Sequence, residues 1–125
     1  MLRLRVPGAF LASLLIAAPA HAQSVDEDVR CLILGSLFQR TETEPAKKQI
    51  AAAVAQYYLG RVSARVPAGE LKRRYLAQAT WLPANRTGPM MTACFTAMQA
   101  QGRAVDAVRV EIGRSMTKAA APTKR

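Results

Sequence analysis

A single histidine, His21, occurs in the 125 residues, and it lies in an amino-terminal stretch that reads as an address to be removed. Once that stretch is gone, no side chain has an ordinary pKa near neutrality, which excludes imidazole base catalysis and histidine metal ligation. Cysteine is nearly as scarce, with only Cys31 and Cys94. There is no Cys-x-x-Cys pair, Gly-rich phosphate loop, Gly-x-Ser-x-Gly or His-Glu-x-x-His. Ser36, Ser63 and Ser115 have no activating partner in view, and nothing brings Glu70 and Glu111 together as a glycosidase pair. The reading is of a chain that is not an enzyme and carries no cofactor and no metal. Acidic residues number 8 against 18 basic ones, for a net charge of +10. Aromatics do not interleave the basic residues and no nucleic-acid motif occurs, so nucleic acid is not an expected partner.

The first 22 residues carry Arg3 and Arg5, an apolar run from Val6 to Ala20, and the small-x-small ending Ala20-His21-Ala22. This is the pattern of a cleaved signal peptide, and the run is shorter than the ~20 apolar residues a bilayer span needs. Cleavage is expected before Gln23. No second long apolar run follows, so no transmembrane span is expected after processing. The expected location is a bacterial periplasm. Losing Arg3 and Arg5 takes the basic count from 18 to 16 and leaves the acidic count at 8, a mature charge of +8.

The mature chain is helical by pattern. Ser24-Val25-Asp26-Glu27 fits a capping box, and Asp26, Glu27 and Asp28 suit the positive end of a helix dipole. The helix they open, to about Arg40, is apolar nearly all round, which places it centrally. A second helix is expected from about Glu44 to Val66, a third from about Ala68 to Leu82, a fourth from about Met90 to Gln101 ending at Gly102, and a fifth from about Ala104 to Thr117. The last has a stripe of Val105, Val108, Ile112 and Met116. Pro83 to Pro89 reads as a loop and Lys118 to Arg125 as a flexible basic tail. The expected fold is all-α, a bundle of four or five helices over residues 23–117. In an oxidising compartment Cys31 and Cys94, each among apolar neighbours, read as one inter-helix disulfide.

One conflict stands out. Arg61 and Arg65 fall on the apolar face that Ile50, Val54, Tyr57 and Tyr58 define on the second helix, with Gly60 beside them as a possible tight crossing. Two readings follow. The first is a Tyr57, Tyr58, Arg61, Arg65 pocket that binds a small anion through paired guanidiniums. The second is a solvated core edge, with the arginine stems on apolar surface and the heads reaching water or Glu70.

The order of leader, Cys31-Leu32, Tyr57-Tyr58-Leu59-Gly60-Arg61 and Cys94 resembles a group of small exported bacterial helical proteins of unknown function. The build is more distantly similar to periplasmic immunity proteins against type VI secretion amidases, with Cys31 to Gly35 echoing their Cys-x-x-x-x-Gly opening. It also resembles acid-stress periplasmic chaperones in size, leader and single disulfide. The immunity-protein likeness implies a protein partner and no catalysis. The chaperone likeness implies apolar surface exposed at low pH. The expected function is that of an exported binding protein whose partner is another envelope protein or an anionic envelope component. The alternatives are a periplasmic carrier of a small anion and an acid-stress chaperone. Nothing in the sequence sets an oligomeric state.

Overall fold

The computed structural model describes residues 23–120, so the expected leader and residues 121–125 lie outside the described residues. Four α-helices and a short 3₁₀ turn follow one another: α1 (Val25–Thr41), α2 (Pro45–Ser63), α3 (Ala68–Trp81), the turn at Ala84–Arg86, and α4 (Thr87–Ala120). There is no strand among the described residues. The all-α expectation holds, and so does the bond between Cys31 and Cys94.

Helix α1 opens on the expected capping box. The Glu27 amide donates to Ser24 Oγ, and the Ser24 amide donates to the Glu27 carboxylate at 2.7 Å. Its apolar residues run round the cylinder, and Val29, Cys31, Leu32, Ile33, Leu34 and Gly35 are all buried. The helix therefore lies at the centre. Helix α2, started by Pro45 in its first turn, supplies Ala51, Val54, Ala55, Tyr58 and Val62 to the same core. Helix α3 buries no residue fully; Leu71 and Tyr75 only cover Val29, Ile33, Val62 and Val66. The first third of α4 closes the other side with Met90, Met91, Cys94, Phe95 and Met98.

Two glycines behave differently from the sequence expectation. Gly60 has open space around it, so it marks no crossing. The tight approach is at Gly35, where a built Cβ would lie 2.6 Å from the Ala55 amide nitrogen and 3.1 Å from the Ala51 carbonyl oxygen. The small residues Ala51 and Ala55 let the two backbones meet there, and a methyl would push them apart.

The expected break at Gly102 does not occur. The two C-terminal helices are one, because no described glycine adopts the positive φ that a glycine stop requires. Its start also differs: Pro89 falls in the first turn of α4, where a missing N–H costs nothing, rather than in a loop. The helix likewise runs on through Lys118 to Ala120, part of the stretch read as tail.

The glycines yield a paired test. Gly35→Ala gains about 1 kcal/mol of helix propensity but clashes with main chain, and is expected to cost a net 1–3 kcal/mol or so in urea unfolding. Gly60→Ala, with nothing to strike, is expected to stabilise by about 0.5–1 kcal/mol.

Candidate functional site

The arginines that looked misplaced on α2 converge on one carboxylate. Asp28, in the first turn of α1, is completely buried. The Arg61 guanidinium donates to its Oδ2 through Nε at 2.8 Å, and Arg65 donates to the same oxygen through Nη2. The arginine side chains are 29% and 35% exposed while the Asp28 side chain is 0% exposed, so the cations reach in from the edge to a shielded anion. Arg65 also donates through Nη1 to the Gln23 carbonyl at 3.2 Å. The other Asp28 oxygen, Oδ1, is buried without a hydrogen-bond partner.

The solvated-edge expectation is therefore corrected at its polar end. Both side chains are part-exposed, but the heads close on Asp28 and not on Glu70. Glu70 is engaged on its own helix, accepting from Arg73 at 3.0 Å and Arg74 at 2.9 Å. Arg74 extends further to Asp26, also at 3.0 Å, and these carboxylates, Glu70 foremost, raise the Arg74 pKa above its ordinary value. The three acids of the first turn thus serve three ends: Asp26 ties α1 to α3, Glu27 caps, and Asp28 ties α1 to α2. Dipole electrostatics alone does not describe them.

The tyrosines differ from each other. Tyr58 is fully buried, and its hydroxyl donates to the Cys94 carbonyl at 2.9 Å, beside the disulfide. It also lies 3.3 Å from Gln23 Oε1. Burial raises the Tyr58 pKa above its usual value near 10.0. Tyr57 is half-buried, meets the Tyr58 ring edge-on at 4.9 Å between centroids, and has the Arg61 guanidinium 5.7 Å from its own ring centre. Of the four residues of the expected pocket, Arg61 and Arg65 meet at an internal anion, Tyr57 faces the Arg61 guanidinium, and the Tyr58 hydroxyl turns to Cys94 instead.

The clefts lie elsewhere. One of about 410 Å³ runs between α1, α2 and α4, lined by Phe38, Ile50, Met91 and Phe95 with Glu42 and Lys47. Others of about 470, 310 and 200 Å³ flank α3 and the start of α4. None of these four takes a lining residue from Tyr57, Tyr58, Arg61 or Arg65. Among the described residues no group of three or more His, Cys, Asp or Glu gathers as a metal site would require.

Asp28 is the residue that the sequence reading missed as a partner. The signal was present: Asp28 shares a helix face with Cys31, Leu32 and Gly35, so an acid sits in one apolar stripe and two bases in another. Each looks misplaced alone, and together they are complementary.

The more conspicuous exposed feature is α4. From Gln99 to Ala120 every residue is exposed, and Val105, Val108, Ile112 and Met116 are 50%, 58%, 53% and 68% accessible. The amphipathic pattern read from the sequence is there, but among the described residues nothing covers it. No helix among the described residues is long and apolar enough to cross a membrane. The chain matches no family model, no curated protein and no solved structure.

Removing the buried charge tests the latch. Asp28→Asn leaves two guanidiniums facing a neutral group and is expected to cost about 3–5 kcal/mol in chemical denaturation. Cys31→Ser with Cys94→Ser, which opens a loop spanning 63 positions, is expected to cost roughly 4 kcal/mol by the chain-entropy estimate. Tyr58 has a pH signature. Its folded pKa is raised, so its contribution is complete below the unfolded value near 10.0 and is lost as pH rises through the folded value. Stability measured from pH 9 to 12 should fall more steeply for wild type than for Tyr58→Phe.

Proposed function

We propose that this protein works by contact: an exported, disulfide-stapled helical body of the periplasm that holds out the distal half of α4 as a binding surface. The observation that carries the reading is the uncovered stripe of Val105, Val108, Ile112 and Met116. Apolar surface in contiguous order on a helix is a feature of interaction sites. Other observations support it. The Cys31–Cys94 bond suits an oxidising compartment, and the leader pattern of residues 1–22 suits export. The charged groups of α1 to α3 are largely spent on one another, Arg61 and Arg65 on Asp28 and Arg73 and Arg74 on Glu70. A small-anion carrier built on Arg61 and Arg65 would have to strip a buried carboxylate of its counter-charges, and no observation favours it.

The reading is checked in a bacterial host producing the full chain. The periplasmic fraction should yield a chain beginning at Gln23 with no thiol open to alkylation before reduction. Crosslinking to envelope components should depend on α4, and Val108→Asp with Ile112→Asp should abolish it without moving the melting temperature of the stapled body by more than a degree or two. An intact precursor in the cytosol with free thiols, or crosslinks indifferent to the α4 changes, would overturn the proposal.

A further inference from the structure

The stripe on α4 specifies its own partner. Resting on the contact reading above, we propose that it pairs with the same stripe of a second copy of this chain, antiparallel.

The distal helix needs a cover. Residues 99–120 make about 33 Å of helix at 1.5 Å per residue. Gly102 and Gly113 each weaken it by about 1 kcal/mol relative to Ala, and an isolated helix of this size is marginal in water. The apolar seam is narrow. Val105, Val108, Ile112 and Ala119 recur at spacings of three, four and seven, with Met116 alongside, which is the geometry of a helix-to-helix seam and not of a broad core-facing surface.

Direction follows from the body. The same face of α4, one turn and more toward its start, carries Met91, Cys94 and Met98, and these already pack on the core that α1 and α2 build. A parallel partner would bring its own body to that occupied end. An antiparallel partner meets only the free half, and its body lies beyond the far end. Charge then selects a register. Glu111 and Lys118 lie along one flank of the seam, seven residues apart. Antiparallel pairing places each Glu111 against the Lys118 of the other copy, twice by symmetry, with Ile112 beside the other copy's Ser115. The alternative that centres the overlap between Val108 and Ile112 opposes Glu111 to Glu111.

A bilayer fits less well. Of the four cations on this half of α4, Arg103 and Arg114 stand two residues from stripe positions (Val105 and Ile112) and lie on the opposite side of the helix, while Arg109 and Lys118 flank the stripe. With the stripe buried in a membrane surface Arg103 and Arg114 would face away from the headgroups, and Arg109 already faces Asp106 at 3.5 Å. In this register residues 107–120 of the two copies face each other, about 21 Å of helix, and the strips cover somewhat under the roughly 1,000 Å² of the smallest specific interfaces, so a dimer of tens of micromolar strength is expected.

The test uses the mature chain, residues 23–125, with its disulfide intact. Sedimentation equilibrium from about 1 to 200 µM should show a monomer–dimer equilibrium with a midpoint in the micromolar range. Ile112→Asp should be monomeric throughout while keeping the melting temperature of the body. Glu111→Lys and Lys118→Glu should each weaken the dimer about tenfold, and the double exchange should restore it to within about twofold. A monomer at every concentration overturns the proposal, and so does a dimer that survives Ile112→Asp or is not rescued by the double exchange. Sedimentation with vesicles of three parts phosphatidylcholine to one part phosphatidylglycerol separates the membrane case. A monomer that binds them through Ile112 overturns the second-copy proposal but leaves the contact reading standing. A monomer whose envelope crosslinks still require Val108 and Ile112 does the same.

Discussion

At Gly35 the backbone of α1 comes so near Ala51 and Ala55 that a methyl group would strike main-chain atoms, and that approach sets the register of the two central helices. The helices are antiparallel, so moving back from Gly35 along α1 moves forward along α2. Seven residues back, about two turns, stands Asp28; six and ten residues on from Ala55 stand Arg61 and Arg65. The acid and the bases meet because the crossing is where it is. A bulkier crossing residue would separate the backbones and loosen the carboxylate from its guanidiniums together with the Val54 and Leu34 packing. The same register carries Tyr58 past α1 to the Cys94 carbonyl, so α4 is held to this frame by a hydrogen bond as well as by the disulfide.

A buried carboxylate is an unfavourable way to gain stability. Taking it out of water costs several kcal/mol, and one oxygen of Asp28 has no hydrogen bond to offset that. What the arrangement supplies is discrimination. The apolar residues of α1 run nearly all round it, and ridges of Val, Leu and Ala tolerate more than one rotation or slide. Only one alignment puts Asp28 under both Arg61 and Arg65, and any other strands a charge in apolar surroundings. Asp26 and Arg74 act similarly on α3, at 3.0 Å but half in water, where the pair is weaker and more easily screened. The interior pair sets the α1–α2 alignment, and the outer one guides a helix with no fully buried residue.

Much of this architecture was legible in the sequence because it rests on local signals. The capping box at Ser24 and Glu27, the proline at position 45 and the apolar spacing of Cys31 and Cys94 are patterns within a few residues, and each appears in the structure. What escaped was set by distance or by sequence context that cuts both ways. Gly102 resembles a helix stop, yet a lone glycine only weakens a helix when no positive φ is imposed, and α4 continues. Gly60 resembles a crossing point, but which glycine meets a neighbour depends on the rotation of both helices. The convergence of Arg61 and Arg65 on Asp28 spans 33 and 37 positions, so periodicity marks each group as misplaced on its own helix but does not pair them.

Helix α4 shows how one stripe serves two ends. Met91, Cys94 and Met98 lie on the face that the body buries, and Val105, Val108 and Ile112 continue the same face where the body has ended. A helix cannot rotate one half independently of the other, so whatever fixes the first half aims the second. The disulfide and the Tyr58 hydroxyl both act at Cys94, close to where cover gives out. Anchoring there fixes the rotation of α4 about its own axis. The exposed stripe is thus held in a set direction by the same contacts that close the core.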